Sequence, residues 1–210
     1  MFQIQELIKV INQGLTRGMG PGRLGPGNLC IEAAVCYTLG LPHSDHPPCV
    51  GDAVRKYAIL LNDCAWPSKA ARAEGMLAFG VAHMGSNVID QDEFCKTLRL
   101  KIIRSLLPRL LEDAPNDHYK VSAKCQKYPS PLALEWVLED VFGFEGDEYW
   151  AIRLCCKNLL HTFYRHYAMA SWLGHVAQIS KQYSLMADLG VETLVELKSP
   201  GAEFLEELNG

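Results

Sequence analysis

The chain has 210 residues, 49% of them apolar and 21% charged, with a formal charge of −4 and a pI near 6.0. That balance excludes a disordered chain and suits one globular domain with a sizeable core. No run of five or six like charges occurs, so the overall field does not direct the chain to nucleic acid or to an anionic membrane.

The segment Met1 to Ile8 has no basic start and no uninterrupted apolar run. It does not read as a secretory signal, and no stretch approaches the roughly 20 apolar residues needed to span a bilayer. A cytoplasmic location is the expectation. Eight cysteines without a C-x-x-C pair then read as reduced and buried rather than as a disulfide or zinc framework.

Helical periodicity runs along the chain, with no alternating strand pattern. Ile4, Leu7, Ile8, Ile11 and Leu15 form one stripe of a first helix. A glycine- and proline-rich loop spans 17–27 and prevents a helix there. Asn28 can cap a second helix that Gly40 ends, and Glu32 is its only charge. Apolar residues on all its faces place this helix at the centre of the fold.

Three prolines, Pro42, Pro47 and Pro48, then hold the loop 41–49 extended. A third helix is predicted over 51–62. Ser68 caps a fourth, rich in Ala and Gly, that ends near Gly85. Asp90 and Glu93 form a capping-box pattern before a helix whose face is Phe94, Leu98, Ile102, Leu106 and Leu110. Lys96, Arg99, Lys101, Arg104 and Arg109 fall elsewhere on it, and Pro108 predicts a kink.

A short exposed helix follows within 116–128. Ser130 and Pro131 open another that ends at Gly143. Asp147 opens a long helix through Tyr167, and the pattern allows it to continue past Gly174 into 175–198. Ser199-Pro200-Gly201 breaks the chain before a short tail. The expectation is an all-α, single-domain irregular bundle of about eight helices, without internal repeats.

The run Cys30-Ile31-Glu32-Ala33-Ala34-Val35-Cys36-Tyr37, followed by Gly40-Leu41-Pro42-His43, Asp45 and Pro47-Pro48-Cys49-Val50, resembles a family of uncharacterised proteins from phages and environmental bacteria. Leu61-Asn62-Asp63, Trp66, Ser68 and Ala71-Arg72-Ala73 extend the likeness, as does Lys198-Ser199-Pro200-Gly201. It covers about residues 28–86 and that tail motif. His46 stands where the family often has Asp. Trp136, Trp150 and Trp172 stand where relatives are often alanine-rich. The resemblance implies a phage or mobile-element setting and brings no activity, cofactor or substrate.

The loop His43-Ser44-Asp45-His46-Pro47-Pro48-Cys49 carries the most reactive side chains. His43, His46 and Cys49 could contribute to a zinc shell, but the usual ligand spacing is absent. A stiff loop in which Asp45 caps the third helix is the plainer reading. Cys30, near a helix N-terminus, could serve as a thiolate nucleophile with His43 or His46 as base and Asp45 as orienter. A buried cysteine is the commoner case.

Glu32 is costly on an apolar helix unless paired. Arg17, Arg23 and Arg72 are its expected partners, and the floor of a ligand pocket is its functional reading. Asn62-Asp63 reads as a helix end where Asp needs a partner, since the dipole disfavours it. The loop 17–27 lacks the Lys-Ser/Thr ending of a phosphate loop. His161 and His166, five apart, do not share a helix face, and with Tyr164, Arg165 and Trp172 read as core or interface residues.

Three functions follow as expectations. The first is a non-enzymatic binding or inhibitor protein acting by protein–protein contact, with an exposed apolar patch or a symmetric homodimer. The second is a small-molecule binder with a pocket between the second and third helices, near the His43–Cys49 loop. The third is a cysteine-dependent enzyme. The candidate partner- or ligand-binding residues are Glu32, His43, Asp45, His46, Asn62, Asp63 and Arg72. No metal, cofactor or membrane is called for, and nucleic acid is not an expected partner.

Overall fold

A computed structural model describes residues 3–18, 25–116, 118–160 and 165–209. Among them are ten α-helices, two 3-10 segments and no strand; the only β-type contact is an isolated bridge between Leu15 and Leu29. The all-α expectation holds, but ten helices stand where about eight were expected.

The helices are α1 (Ile4–Asn12), α2 (Ile31–Thr38), α3 (Asp52–Asn62), α4 (Lys69–Ala82), α5 (Gln91–Glu112), α6 (Tyr119–Lys127), α7 (Pro131–Asp140), α8 (Asp147–Leu160), α9 (His166–Ser180) and α10 (Tyr183–Glu196). The long helix expected from Asp147 is α8, with α9 and α10 distinct from it. Gly174 does not break α9. A Cβ there would come within 2.6 Å of Leu60, so its absence lets α9 lie close on α3. The break comes at Lys181, which adopts left-handed backbone at φ 58° and ends α9.

One hydrophobic cluster runs from Ile4 to Leu194. α2 lies in its middle: seven of its eight residues are buried, and only Tyr37 is exposed. Gly40, at φ 66°, closes α2 by a Schellman turn, in which the N–H groups of Gly40 and Leu41 donate to the carbonyls of Tyr37 and Cys36. Gly80 of α4 leaves room for Ile31 and Ile11, as its small-residue pattern suggested.

Two helix starts follow their sequence signals. Ser68 Oγ accepts from the Ala71 N–H, and the Asp90 carboxylate accepts from Asp92 and Glu93. Two do not. Asn28 does not cap α2, which begins after Cys30. Asp45 does not cap α3. The Gln91 Oε1, at the start of α5, accepts from the Ala53 and Val54 N–H groups at 3.0 and 3.4 Å, and its Nε2 donates to the Ser86 and Ile89 carbonyls. A cap lent by a residue about forty positions later leaves no local trace in the sequence.

Arg99 is a further departure. Its position on α5 is buried, and desolvation lowers the pKa of its guanidinium. The tail motif docks on the end of α4. Ser199 Oγ donates to the Ala82 carbonyl at 2.8 Å and the Gly201 N–H donates to the Met84 carbonyl at 2.7 Å. A Cβ on Gly201 would lie 2.2 Å from the Val81 carbonyl oxygen, so only glycine fits. No helix among the described residues is long and apolar enough to cross a membrane.

Candidate functional sites

The motif-bearing half, α2 to α4, gathers the predicted polar residues, and most of them serve the backbone. Asn62 is fully buried at the end of α3. Its Oδ1 accepts from the Ile31 N–H at 3.2 Å, which supplies the cap of α2, and its Nδ2 donates to the Thr16 carbonyl at 2.9 Å. Asp63 accepts from the Gly18 N–H at 2.7 Å and from the Asn62 Nδ2 at 3.1 Å, which meets the need created at a helix C-terminus.

Arg72 is a buried clamp on three carbonyls. Its Nε donates to Asn62 at 2.7 Å, its Nη1 to Leu15 at 3.0 Å and its Nη2 to Cys64 at 3.4 Å. Desolvation lowers its pKa, and the nearby Asp63 charge works against that. The fork of a guanidinium suits this task because its donors are fixed in one plane.

Arg72 is therefore not the partner of Glu32, and Arg17 is exposed. Arg23 lies outside the described residues, with 19–24 of the glycine-rich loop. Glu32 faces His83 instead, with Oε1 3.6 Å from Nε2 and both side chains fully buried. His83 Nδ1 lies 2.7 Å from the Gly80 carbonyl, which can only accept. Nδ1 thus carries a proton, and Nε2 is turned to the carboxylate. Neither Glu32 oxygen has a hydrogen-bond partner in the structure. Periodicity could not find this pair, because His83 lies at the end of a different helix, 51 positions on.

In the stiff loop, Asp45 pairs with His46 Nδ1, and the His46 N–H donates to Ser44 Oγ. His46 is exposed and His43 half-buried. A cavity of about 90 Å³ lies between α2 and α3, lined by Gly18, Cys30, Ile31, Asp45, Ile59, Asn62 and Asp63. It unites three of the predicted site residues, Asp45, Asn62 and Asp63. Glu32, His43, His46 and Arg72 do not line it. Drug-sized ligands need about 300 Å³ or more, so this space suits a small solute or water.

The cysteines are all free, and all but Cys49 are buried. Burial pushes the Cys30 thiol up to about 11, despite N–H groups of Ala33 and Glu32 that favour the thiolate. Cys49 is also raised, mainly by burial. Neither has the lowered pKa of an activated nucleophile. Among the described residues, no three His, Cys, Asp or Glu side chains could together hold a metal ion. His161 and Tyr164 lie outside the described residues, and His166 pairs with Asp92 at 3.5 Å.

The second candidate site was missed in the sequence. Helices α6 to α8 meet in a polar knot: His118 Nδ1 pairs with Asp140, and the Tyr149 hydroxyl accepts from Asn116 Nδ2 at 2.7 Å. The Phe144 ring stacks on Tyr149 with centroids 5.1 Å apart. Arg153 Nη1 donates to the Val141 carbonyl at 3.2 Å and to the Phe144 carbonyl at 2.7 Å, bracing the loop between α7 and α8. Gly143 at φ 84° permits the loop's turn.

The braced loop carries Phe142 at 84% exposure and Phe144 at 40%, and Trp150 in the first turn of α8 is 58% exposed. Exposed aromatic residues thus cluster in sequence over 142–150, the aromatic tip. Residues 128–152 also contain Glu135, Glu139, Asp140, Glu145, Asp147 and Glu148 and no Lys, Arg or His. That stretch is −6 in a chain of −4, so the remainder is +2. Apolar residues interrupt the carboxylates, which is why no contiguous charged run signals them. The Phe-Gly-Phe at 142–144 was the available signal. Fold and sites together define an all-α protein with a small cavity between α2 and α3 and a solvent-exposed aromatic loop between α7 and α8. No protein-family model, curated protein or solved structure matches the chain.

Proposed function

We propose that this is a non-enzymatic binding protein, of the phage or mobile-element type that residues 28–86 resemble, acting by protein–protein contact through the aromatic tip. Inhibition of the bound partner is the effect expected of such a protein. The observation that carries the reading is Phe142, 84% exposed on a loop held by Arg153 and by the Phe144–Tyr149 stack. A large apolar side chain fixed in water costs free energy that a partner's surface recovers, and aromatic residues dominate interface energetics. Pre-organisation of the loop lowers the entropy lost on docking.

A photo-cross-linking residue placed at position 142 tests this, with the same residue at exposed Val195 of α10 as control. The expected result is a discrete adduct with one identified protein from position 142 and none from 195. Equal labelling from both positions, or none from 142, refutes the reading.

A second reading, binding of a small solute, is supported by the cavity beside Asp45, Asn62 and Asp63. Native mass spectrometry of the purified protein should then show a bound mass that Ile59→Trp removes. A spectrum of bare protein alone would end it.

A further inference from the structure

The tip has a sign as well as an apolar surface. Glu139, Glu145 and Asp147 are exposed, as are Phe142, Phe144 and Trp150, all within residues 139–150. Asp147 and Trp150 are three residues apart on α8, so they share a face at about 5–6 Å between Cβ atoms. Glu145 is next in sequence to Phe144. Carboxylates and exposed aromatic residues thus lie together within one short stretch, 142–150.

Arginine has the matching chemistry. Its guanidinium is planar and weakly hydrated, stacks on aromatic rings, and donates in a fork that fits a carboxylate. A second copy of the chain fits less well. Residues 142–153 carry Glu145, Asp147 and Glu148 against Arg153, a net charge of −2, so two such tips repel. Nucleic acid is repelled for the same reason.

Resting on the protein-contact reading, we propose that the tip receives an arginine-bearing basic segment of a protein partner. Guanidinium groups stack on Phe142 and Trp150 while their N–H groups donate to Glu145 and Asp147.

The test is titration of the full chain with fluorescent acetyl-(Gly-Arg)5-amide, acetyl-(Gly-Lys)5-amide and acetyl-(Gly-Glu)5-amide at low and moderate salt. The arginine peptide should bind about fivefold tighter than the lysine peptide, because it adds stacking to charge, and the glutamate peptide should not bind. Binding should weaken with salt. Phe142→Ala and Asp147→Lys should each lower the affinity about fivefold, while the distant Glu206→Lys should leave it unchanged. Phe142 is mostly solvent-exposed, so its truncation removes little packing, and circular dichroism checks that each variant is folded.

Equal binding of arginine and lysine peptides, or an equal loss with Glu206→Lys, overturns the proposal by reducing it to bulk charge. A dimer seen by sedimentation that Phe142→Ala dissociates overturns it in favour of a second copy. A single cross-linked partner at position 142, together with no preference for arginine, overturns the partner chemistry and leaves the contact surface standing. Arginine-specific peptide binding without any cross-linked partner supports this chemistry while refuting the protein-contact function.

Discussion

The α2–α4 half and the α6–α8 tip handle polar and apolar groups in opposite ways. In the first, Asn62 and Arg72 are turned inward and spent on backbone, while Glu32 and His83 face each other in the core 3.6 Å apart, with no hydrogen bond to either Glu32 oxygen. In the second, Phe142 and Trp150 are turned outward, while polar groups beneath them hold the loop. Asn62 and Arg72 in one region are thus structural staples, and exposed aromatics in the other are available for contact. Residue type alone is a poor guide to a functional surface. What a side chain already satisfies decides whether it can meet something else.

The sharpest way to break this contrast is Arg72→Ala. The Leu15 and Asn62 carbonyls lose their donor, the Cys64 carbonyl keeps the Trp66 N–H, and the expected loss is about 2–6 kcal/mol in urea denaturation, at roughly 1–3 per orphaned group. A loss below about 1 kcal/mol would show that Arg72 is spare and open to a ligand. Next comes the Glu32–His83 pair. His83→Ala leaves a carboxylate buried alone and should cost about 3 kcal/mol or more. The double variant Glu32→Met/His83→Phe should regain most of it, since apolar replacement of a buried pair is often near neutral.

Asn62→Ala unpairs the Ile31 N–H and the Thr16 carbonyl and should cost about 2–3 kcal/mol. Gln91→Ala removes the borrowed cap of α3, for about 1 kcal/mol, measurable by thermal melting. Smallest of all on stability is Phe142→Ala, expected within about 0.5 kcal/mol of the parent, since an exposed ring packs against little. Its effect should fall on partner binding alone. A strong destabilisation there would mean that Phe142 is part of the core, and would erase the difference between the two regions.

Much of the helical plan was legible. Ser68, Asp90 and the Ser130-Pro131 pair mark helix starts because caps and N1 prolines act within one turn. The centrality of α2 was legible from its apolar faces. The division into α8, α9 and α10 was not, because Gly174 looks like a breaker and is a packing surface, while Lys181 gives no warning of left-handed backbone. Of the polar residues singled out, Asp45, Asn62 and Asp63 meet at one cavity. Glu32 and Arg72 have different partners from those expected, since each bond joins segments far apart in the chain.

Sequence alone determined the all-α class, the central helix and the locally capped helix ends, because periodicity and capping depend on neighbours within about four residues. Tertiary structure decided the rest: Gln91 as the cap of α3, His83 as the companion of Glu32, Arg72 as a clamp on three carbonyls, and Phe142 as an exposed ring. Hydrogen bonds and burial are set by distance in space, and spacing along the chain does not encode which remote helix comes near.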